Sequence, residues 1–349
     1  MKVSVQERTL HFKKPARTSR GAYTEHRIFI ITVSDEKTGC IGTGDCAPLP
    51  DLSCDRNAYP CIGTVERLAR EALESGDCAE FLRPYPALLF ALESALAGCR
   101  QDPEYYDTPF ARGMEGIPAN GLIWMDSYDR MLAQIEEKLE MGFRCIKLKI
   151  GAIDWEEEMR LVRMIRSRFS ADSLQLRVDA NGGFSHEEAK IKLEELAKWD
   201  IHSIEQPILA RWQQGSDATW DAMAELCRST PLPIALDEEL IGVNDASERV
   251  ALLDSIMPQY IVVKPTLHGG MTGALEWIAE AEKRGIKSWI TSALESNIGL
   301  KNVALLAARA YGPEIGFAQG LGTGLLYTDN IDQGVELKGH RLWLNNDWK

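Results

Sequence analysis

The feature that most constrains the fold is a regular alternation that begins near residue 117. Short apolar runs typical of buried strands are separated by longer amphipathic segments typical of helices. When a helix follows every strand, the strands are parallel, because each helix returns the chain to the same end of the sheet. Eight strands separated by seven helices therefore predict a parallel β/α barrel. The predicted strands are 119–124, 144–150, 174–179, 201–205, 233–237, 259–264, 286–291 and 314–318, and the predicted helices are 126–141, 154–169, 185–199, 217–229, 245–255, 270–284 and 296–310.

The first 115 residues follow a different pattern, in which strands precede helices. Strands followed by helices indicate an α+β domain. We expect strands at 3–12 and 26–33, joined by the polar segment Arg17–Thr24, and helices at 63–75 and 86–100. The predicted division is an α+β domain over 1–115, a barrel over 116–324, and a tail over 325–349 that returns to the first domain.

Three of the predicted barrel strands end in an acidic residue: Asp179, Glu205 and Asp237. The C-terminal ends of barrel strands meet at one mouth, where three carboxylates would repel each other unless a cation neutralised them. Hard divalent cations prefer oxygen ligands, and Mg²⁺ keeps coordination positions open for water and substrate oxygens. The three acids are therefore predicted to bind Mg²⁺, or Mn²⁺ in its place. Capping of the next helix is the alternative for any single acid.

Two other predicted strands carry lysines at their ends: Lys147 and Lys149 on one, and Lys264 on the other. Lys147 and Lys149 are two residues apart, so they point to the same face of a strand. Burial and nearby cations lower the pKa of a lysine from about 10.4, which makes it a usable base. A cation that stabilises an enolate, together with such a base, suits abstraction of a proton next to a carboxylate. Pairing of each lysine with a strand-end acid is the alternative.

Taken in order, these residues resemble the enolase superfamily, and within it the muconate-lactonizing subgroup. The resemblance covers nearly the whole chain and implies a modified (β/α)7β TIM barrel with an α+β capping domain. It implies that Lys149 is the catalytic acid and base, that Lys264 stays cationic and stabilises an enediolate, and that Lys147 and Asn181 assist at the substrate. The motifs that carry it are Lys147-Leu148-Lys149, Asp179-Ala180-Asn181, Glu205-Gln206-Pro207, Asp237-Glu238 and Lys264-Pro265.

Two late segments, 292–300 and 319–324, are most similar to the dehydratase branch of that subgroup. That branch acts in menaquinone biosynthesis, where it converts a succinyl-substituted hydroxycyclohexadiene carboxylate into an aromatic product. The resemblance implies that the metal holds the ring carboxylate while Lys149 moves the proton. The further candidates for substrate binding are Ser292, Leu321 and Thr323 in these segments, and Arg20 in the Arg17–Thr24 segment, which is predicted to be a lid. Ordinary turn structure is the alternative for each of them.

The catalytic residues alone do not separate the reactions of the subgroup. Racemisation of an N-acylamino acid, epimerisation of a dipeptide and cycloisomerisation all remain open. A dipeptide epimerase is expected to carry an Asp-x-Asp motif near the last strands, and residues 291–325 contain none. A metal-free aldolase with a Schiff-base lysine would leave the three acids unexplained. A non-catalytic binding protein would be expected to have lost at least one of the five acids and lysines.

Composition limits the partners and the compartment. The formal charge of −13 argues against nucleic acid and against an anionic membrane surface. No apolar run is long enough for a spanning helix, and the N-terminal residues alternate like a strand and do not resemble a signal peptide. The eight cysteines contain no Cys-x-x-Cys, so we expect reduced thiols and a cytoplasmic location. The expected partner is a small-molecule carboxylate, and the oligomeric state, including a homo-oligomer, stays open.

Overall fold

The structure is a computed structural model that describes residues 1–18, 21–151, 153–213, 219–312, 315–323 and 326–345. Strands β1 to β13 span, in order, Lys2–Thr18, Gly21–Asp35, Cys40–Cys46, Ile117–Pro118, Gly121–Ile123, Cys145–Lys149, Gln175–Asp179, Ser203–Glu205, Ile234–Leu236, Tyr260–Val263, Lys287–Ile290, Val335–Lys338 and Arg341–Leu344. Helices α1 to α11 span Ile62–Ser75, Cys78–Phe81, Pro86–Arg100, Pro103–Tyr106, Tyr128–Glu140, Trp155–Arg168, His186–Leu196, Trp220–Ser229, Ala246–Ile256, Gly270–Glu282 and Asn297–Tyr311.

Strands β5 to β11 form one parallel sheet in the order of the sequence. A helix follows each strand, from α5 after β5 to α11 after β11. Gly320 pairs with Thr291 beyond β11, and Gln319 pairs with Ala119 before β5, so a short eighth strand position closes the sheet. The predicted (β/α)7β barrel is therefore confirmed. The paired residues, Gln319 and Gly320, lie just after the predicted eighth strand, 314–318, of which residue 314 lies outside the described residues.

The helices of the barrel begin where their sequences provide caps. Asp154 accepts hydrogen bonds from the backbone of Glu156 and Glu157 at the start of α6. Ser185 and Glu188 form a reciprocal capping box at the start of α7, as the serine and glutamate spacing predicts. Each cap satisfies backbone N–H groups that would otherwise lack a partner. Within the described ranges, none of the helices has both the length and the apolar character needed to cross a bilayer.

The N-terminal part is an antiparallel sheet of β1, β2 and β3 that packs against α3. β3 was not predicted, because glycine is unfavourable in strands and this segment carries two of them. An added Cβ would lie 1.9 Å from the carbonyl oxygen of Ala95 at Gly42, and 2.1 Å from that of Ala91 at Gly44. The glycines therefore allow α3 to lie directly on the strand. Most of the Arg17–Thr24 segment, which was predicted to join the two strands, belongs to the strands themselves. β1 runs to Thr18 and β2 starts at Gly21, and the two strands pair up to these residues.

The N-terminal part contacts the barrel at the helix ends next to the mouth. Glu93 of α3 accepts hydrogen bonds from the backbone of Met271 and Thr272, at 2.6 and 3.3 Å, where α10 begins. Asp45 of β3 accepts the backbone N–H and the hydroxyl of Ser296, at 2.8 and 2.6 Å, where α11 begins. Burial raises the pKa of both carboxyl groups to about 7. These contacts hold the N-terminal part over the C-terminal ends of the barrel strands.

The C-terminal segment contacts both parts of the chain. The backbone N–H of Lys13 donates to Leu326, and that of Thr328 donates to His11, so this stretch lies along β1. The β12–β13 hairpin lies elsewhere and pairs with β4 next to the barrel. The predicted domain division itself remains a prediction.

Cys40 at the start of β3 and Cys99 near the end of α3 are joined by a disulfide, with 5.1 Å between their Cα atoms. The expectation of eight reduced thiols is therefore wrong for this pair. The two residues are 59 apart in sequence and meet only because α3 lies on β3, which local sequence patterns do not reveal.

Candidate active site

A cavity opens at the C-terminal ends of the barrel strands, under the N-terminal part. The N-terminal part contributes an apolar wall, and the barrel contributes the charged floor and the hydroxyl groups. The lining residues of the floor include five that the sequence predicted: Lys147, Lys149, Asp179, Asn181 and Lys264. The other lining residues are Tyr23, Leu49, Leu52, Asn120, Leu122, Trp124, Thr291, Ser292, Ala293, Leu294, Gly320, Gly322 and Thr323.

Strand register brings the first charged groups together. Lys149 of β6 is paired with Asp179 of β7, which is paired in turn with Glu205 of β8. The ammonium group of Lys147 lies between two of the acids, 2.9 Å from Oδ2 of Asp179 and 2.6 Å from Oε1 of Glu205. Burial disfavours its charge, but the surrounding carboxylates outweigh burial and raise the pKa of Lys147. Burial likewise opposes the charge of Asp179, but Lys147 and Lys149 hold the pKa of Asp179 well below its usual value.

Lys149 is electrostatically different from Lys147. Its Nζ donates to Oδ2 of Asp179 over 3.2 Å and to Oδ1 of Asn181 over 2.5 Å. Burial is the largest influence and lowers the pKa of Lys149; Asp179 opposes this, while Lys147 and Lys264 add to it. These influences shift the pKa of Lys149 toward the neutral amine, which is the form that can accept a proton.

Lys264 follows β10 and forms an ion pair with Asp237, which follows β9. Burial disfavours its charge, but Asp237 and further acids outweigh burial and raise the pKa of Lys264. The backbone N–H of Lys264 donates to Nδ1 of His268 over 2.9 Å. Burial lowers the pKa of His268 to about 3, so its imidazole is neutral and can accept this hydrogen bond through Nδ1. Lys264 is thus held as a cation, in contrast to Lys149.

The three acids leave a need for another cation. Burial and repulsion from Asp179 and Asp237 exceed the attraction of Lys147 and raise the pKa of Glu205 to about 8. Oε2 of Glu205 and Oδ1 of Asp237 are buried and have no hydrogen-bond partner among the residues that the structure describes. Such oxygens are the ligands that Mg²⁺ and Mn²⁺ prefer, so the donor set fits a divalent ion. Across the described ranges no ready-made group of acidic, histidine or cysteine ligands is present, since lysine ammonium groups lie against the carboxylates.

Hydroxyl groups also line the cavity, next to β11 and the eighth strand position. Oγ of Ser292 lies 2.5 Å from Oγ1 of Thr323 and donates to the carbonyl oxygen of Gly320 over 3.2 Å. Leu321 does not line the cavity, and its side chain is fully buried in the barrel core. Successive residues of an extended segment face opposite sides, so Gly320 and Gly322 face the cavity and Leu321 does not. Arg20 lies outside the described residues.

Several lining residues were not predicted from the sequence. Trp124 directly follows the first barrel strand. Its place at the C-terminal end of a predicted strand is the one sequence feature that could have indicated a position at the barrel mouth. The distance from Nζ of Lys149 to the centre of its ring is 5.7 Å. Tyr23, Leu49 and Leu52 come from the N-terminal part, and nothing local in the sequence shows that they reach the barrel.

Comparisons with known proteins agree with this geometry. A model of the enolase C-terminal domain-like family matches residues 130–341. The o-succinylbenzoate synthase of Desulfotalea psychrophila is 42% identical over 97% of this chain and 98% of that protein. The L-Ala-D/L-Glu epimerase of Bacillus subtilis is 26% identical, over 84% of this chain and 81% of that protein. The crystal structure of MenC from Desulfotalea psychrophila has a TM-score of 0.81 and 37% identity, covering 98% of this chain and 99% of that one.

Proposed function

Because this chain belongs to the enolase superfamily, through its C-terminal domain-like family, we propose that the cavity is the active site of an o-succinylbenzoate synthase. The reaction removes water from a succinyl-substituted hydroxycyclohexadiene carboxylate and gives an aromatic product, as a carbon–oxygen lyase. The observation that carries this proposal is the 42% identity with a synthase over nearly the full length of both chains. The opposite pKa shifts of Lys149 and Lys264 support it, since the reaction needs one neutral and one charged amine.

Asp179, Glu205 and Asp237 are the proposed ligands of Mg²⁺, and Mn²⁺ suits the same oxygen donors. The metal, when bound, holds the substrate carboxylate and offsets the negative charge that develops on it. The buried oxygens of Glu205 and Asp237 that lack a partner support this assignment.

Lys149 is the proposed base and acid. Its neutral amine takes the proton from the carbon next to the carboxylate, and the electron pair of that bond moves into the carboxylate to give an enediolate. The resulting ammonium of Lys149 then gives its proton to the leaving hydroxyl group, which departs as water while the ring double bond forms. The lowered pKa of Lys149 supports the first step, because a base works best when its pKa lies near the working pH.

Lys264 is proposed to stay charged throughout and to stabilise the enediolate. Its raised pKa and its ion pair with Asp237 support this role. A fixed positive charge in a buried site stabilises developing negative charge more than it would in water. Lys147 is proposed to keep the pKa of Lys149 low through its own positive charge.

The hydroxyl groups of Ser292 and Thr323 are proposed to bind the succinyl tail. Both line the cavity, and they already contact each other. Leu49, Leu52 and Leu294 supply an apolar surface for the ring and the methylene groups. Arg20 stays a proposed contributor on sequence grounds alone.

Dipeptide epimerisation has less support, although several relatives are named as epimerases, among them the L-Ala-D/L-Glu epimerase of Bacillus subtilis. An acid that binds the substrate's ammonium group is expected near the last strand. At Gly320 an added Cβ would lie 1.8 Å from Oγ1 of Thr291, so no side chain fits there. One of the two glycine positions that face the cavity is thus closed to an acid by the contact with Thr291.

Turnover assays test the proposal. The purified protein with Mg²⁺ should convert the succinyl-substituted hydroxycyclohexadiene carboxylate to o-succinylbenzoate, followed by absorbance of the aromatic ring. The same preparation should be tested on L-Ala-L-Glu and on N-succinylamino acids by exchange of the α-proton in deuterated water. Efficient epimerisation of the dipeptide without dehydration would overturn the proposal.

A further inference from the structure

A line of buried polar side chains connects Lys149 to Glu238. Nζ of Lys149 donates to Oδ1 of Asn181 over 2.5 Å, and Nδ2 of Asn181 donates to Oε1 of Glu238 over 3.1 Å. Glu238 is fully buried in the 3-10 turn that follows β9, and it is not among the residues that line the cavity. Glu238 can therefore influence the cavity through Asn181, the lining residue whose amide it contacts.

The two neighbours of Asn181 determine which way its amide faces. A side-chain amide has an acceptor oxygen on one side and a donor nitrogen on the other. In the structure Nδ2 donates to Oε1 of Glu238, and Oδ1 accepts from Nζ of Lys149. If the amide turned over, its oxygen would face the carboxylate and its NH₂ group would face the amine. Each buried hydrogen bond lost in this way costs about 1–3 kcal/mol.

The backbone of Asn181 is fixed as well. Its φ angle is +44°, in the left-handed region that asparagine tolerates better than most residues. Its backbone N–H donates to Oδ1 of Asp179 over 2.9 Å. Glu238 then holds the side-chain amide of Asn181 by accepting a hydrogen bond from Nδ2.

We propose that Glu238 is a positioning residue that fixes the amide of Asn181 so that its oxygen holds Nζ of Lys149. This inference rests on the proposed function, in which Lys149 exchanges protons with the substrate. A neutral amide oxygen orients the amine without placing a second carboxylate beside it, which would raise the pKa of Lys149. Glu238 thus orients the base through Asn181 and does not itself contact Lys149 in this line of hydrogen bonds.

A reciprocal pair of substitutions tests the inference. Glu238→Gln allows the amide of Asn181 to turn over, and Asn181→Asp sets two carboxylates against each other. Each single variant should lower kcat by about 10- to 100-fold, with KM changed by less than about threefold, since misplacement of a catalytic group by about 1 Å has effects of this size. The double variant again pairs a carboxylate facing Lys149 with an amide, and should recover kcat by about tenfold over either single variant when assayed at high pH.

Glu239→Gln is the matched control. Glu239 lies in the same buried turn but accepts hydrogen bonds from the backbone of Arg211 and the indole of Trp220. This variant should keep kcat within about twofold of the unsubstituted protein. Calorimetric Mg²⁺ affinity and thermal unfolding, measured on all variants, should be nearly unchanged by Glu238→Gln. A Glu238→Gln protein with full kcat, or a double variant no better than the single ones, would overturn the inference.

A second readout does not depend on turnover. In protein labelled with ¹⁵N at asparagine, the side-chain amide signal of Asn181 is assigned by its absence in the Asn181→Asp variant. Its protons should exchange slowly with solvent in the unsubstituted protein and faster in Glu238→Gln. Rapid exchange in the unsubstituted protein would contradict the contact. If the amide protons exchange slowly but the protein shows no dehydration, the proposed function fails. The contact between Asn181 and Glu238 would still stand in that case.

Discussion

Lys149 and Asp179 are paired residues on neighbouring parallel strands, and Nζ of the lysine lies 3.2 Å from Oδ2 of the acid. The proposed base and a proposed metal ligand are thus fixed by the same strand register. Lys264 and Asp237, which follow β10 and β9, form a second ion pair of lysine and acid at the mouth. The two pairs differ in their electrostatics, because the pKa of Lys149 is lowered and that of Lys264 is raised.

Removing either lysine should abolish dehydration while the fold remains. We expect Lys149→Met and Lys264→Met each to lower kcat by at least about 10³-fold, in the range lost with a general acid and base or a charge stabiliser. The control is Lys283→Met on the surface, where the side chain is 66% exposed. Circular dichroism should show unchanged secondary structure in all three. Near-normal turnover in either active-site variant would remove that lysine from the mechanism.

The pH dependence should report the neutral form of Lys149. Since its pKa is lowered, kcat/KM should rise with pH and reach its plateau below the usual lysine value of about 10.4. Lys147 contributes positive charge to this shift, so Lys147→Met should raise the pKa of Lys149 and move the rising limb to higher pH. Lys147→Arg keeps the charge and should leave the limb in place. A limb that does not move in Lys147→Met would contradict the assigned role of Lys147.

Without metal, the stability of the protein should fall as the solution becomes alkaline. The pKa of Glu205 is raised to about 8, above its ordinary value, so its protonated form is favoured in the folded protein. Its contribution to stability is present at low pH and is lost as pH rises through about 8. Thermal unfolding in EDTA at pH 7 and pH 9 should show this loss, and Glu205→Gln should reduce it. At pH 7, addition of Mg²⁺ should release protons, which calorimetry in buffers of different ionisation enthalpy detects.

Gly320 should tolerate no side chain. An added Cβ would meet Oγ1 of Thr291 at 1.8 Å and its Cβ at 2.3 Å, where the eighth strand position closes the barrel. Gly320→Ala should therefore lower the free energy of unfolding by about 1–3 kcal/mol, the usual cost of overpacking. At Gly63 in α1 an added Cβ meets nothing within 4 Å, so Gly63→Ala should be neutral or slightly stabilising. Urea denaturation of both variants compares them, and equal stabilities would argue against this closing contact.

Much of the barrel could be predicted from the sequence because its signals are local. Each strand is a short apolar run, and residues such as Asp179 and Lys264 mark where the runs end. Parallel topology then places those ends at one mouth, without knowledge of any distant contact. The polar motif Asp179-Ala180-Asn181 likewise gave Asn181 as a candidate, and the structure places it beside Lys149.

The features that were missed depend on contacts between distant segments. The sequence does not predict β3, because Gly42 and Gly44 weaken the strand pattern. These glycines allow α3 to pack directly on the strand, and this contact is seen only in the structure. The disulfide between Cys40 and Cys99 depends on the same packing. The side chain of Leu321 packs in the barrel core, and the backbone of the Leu321-Gly322-Thr323 turn stays a predicted donor to the substrate. Each of these contacts joins segments that are far apart in the sequence, so the neighbouring residues do not predict it.

The most direct test of the account is a crystal structure of the Mn²⁺-loaded protein with o-succinylbenzoate, using the anomalous signal of manganese. We expect one manganese ion within about 2.2 Å of oxygens from Asp179, Glu205 and Asp237. We also expect the product ring to lie between the amines of Lys149 and Lys264. A manganese ion bound elsewhere, or a product with both lysines on one side of its ring, would contradict it.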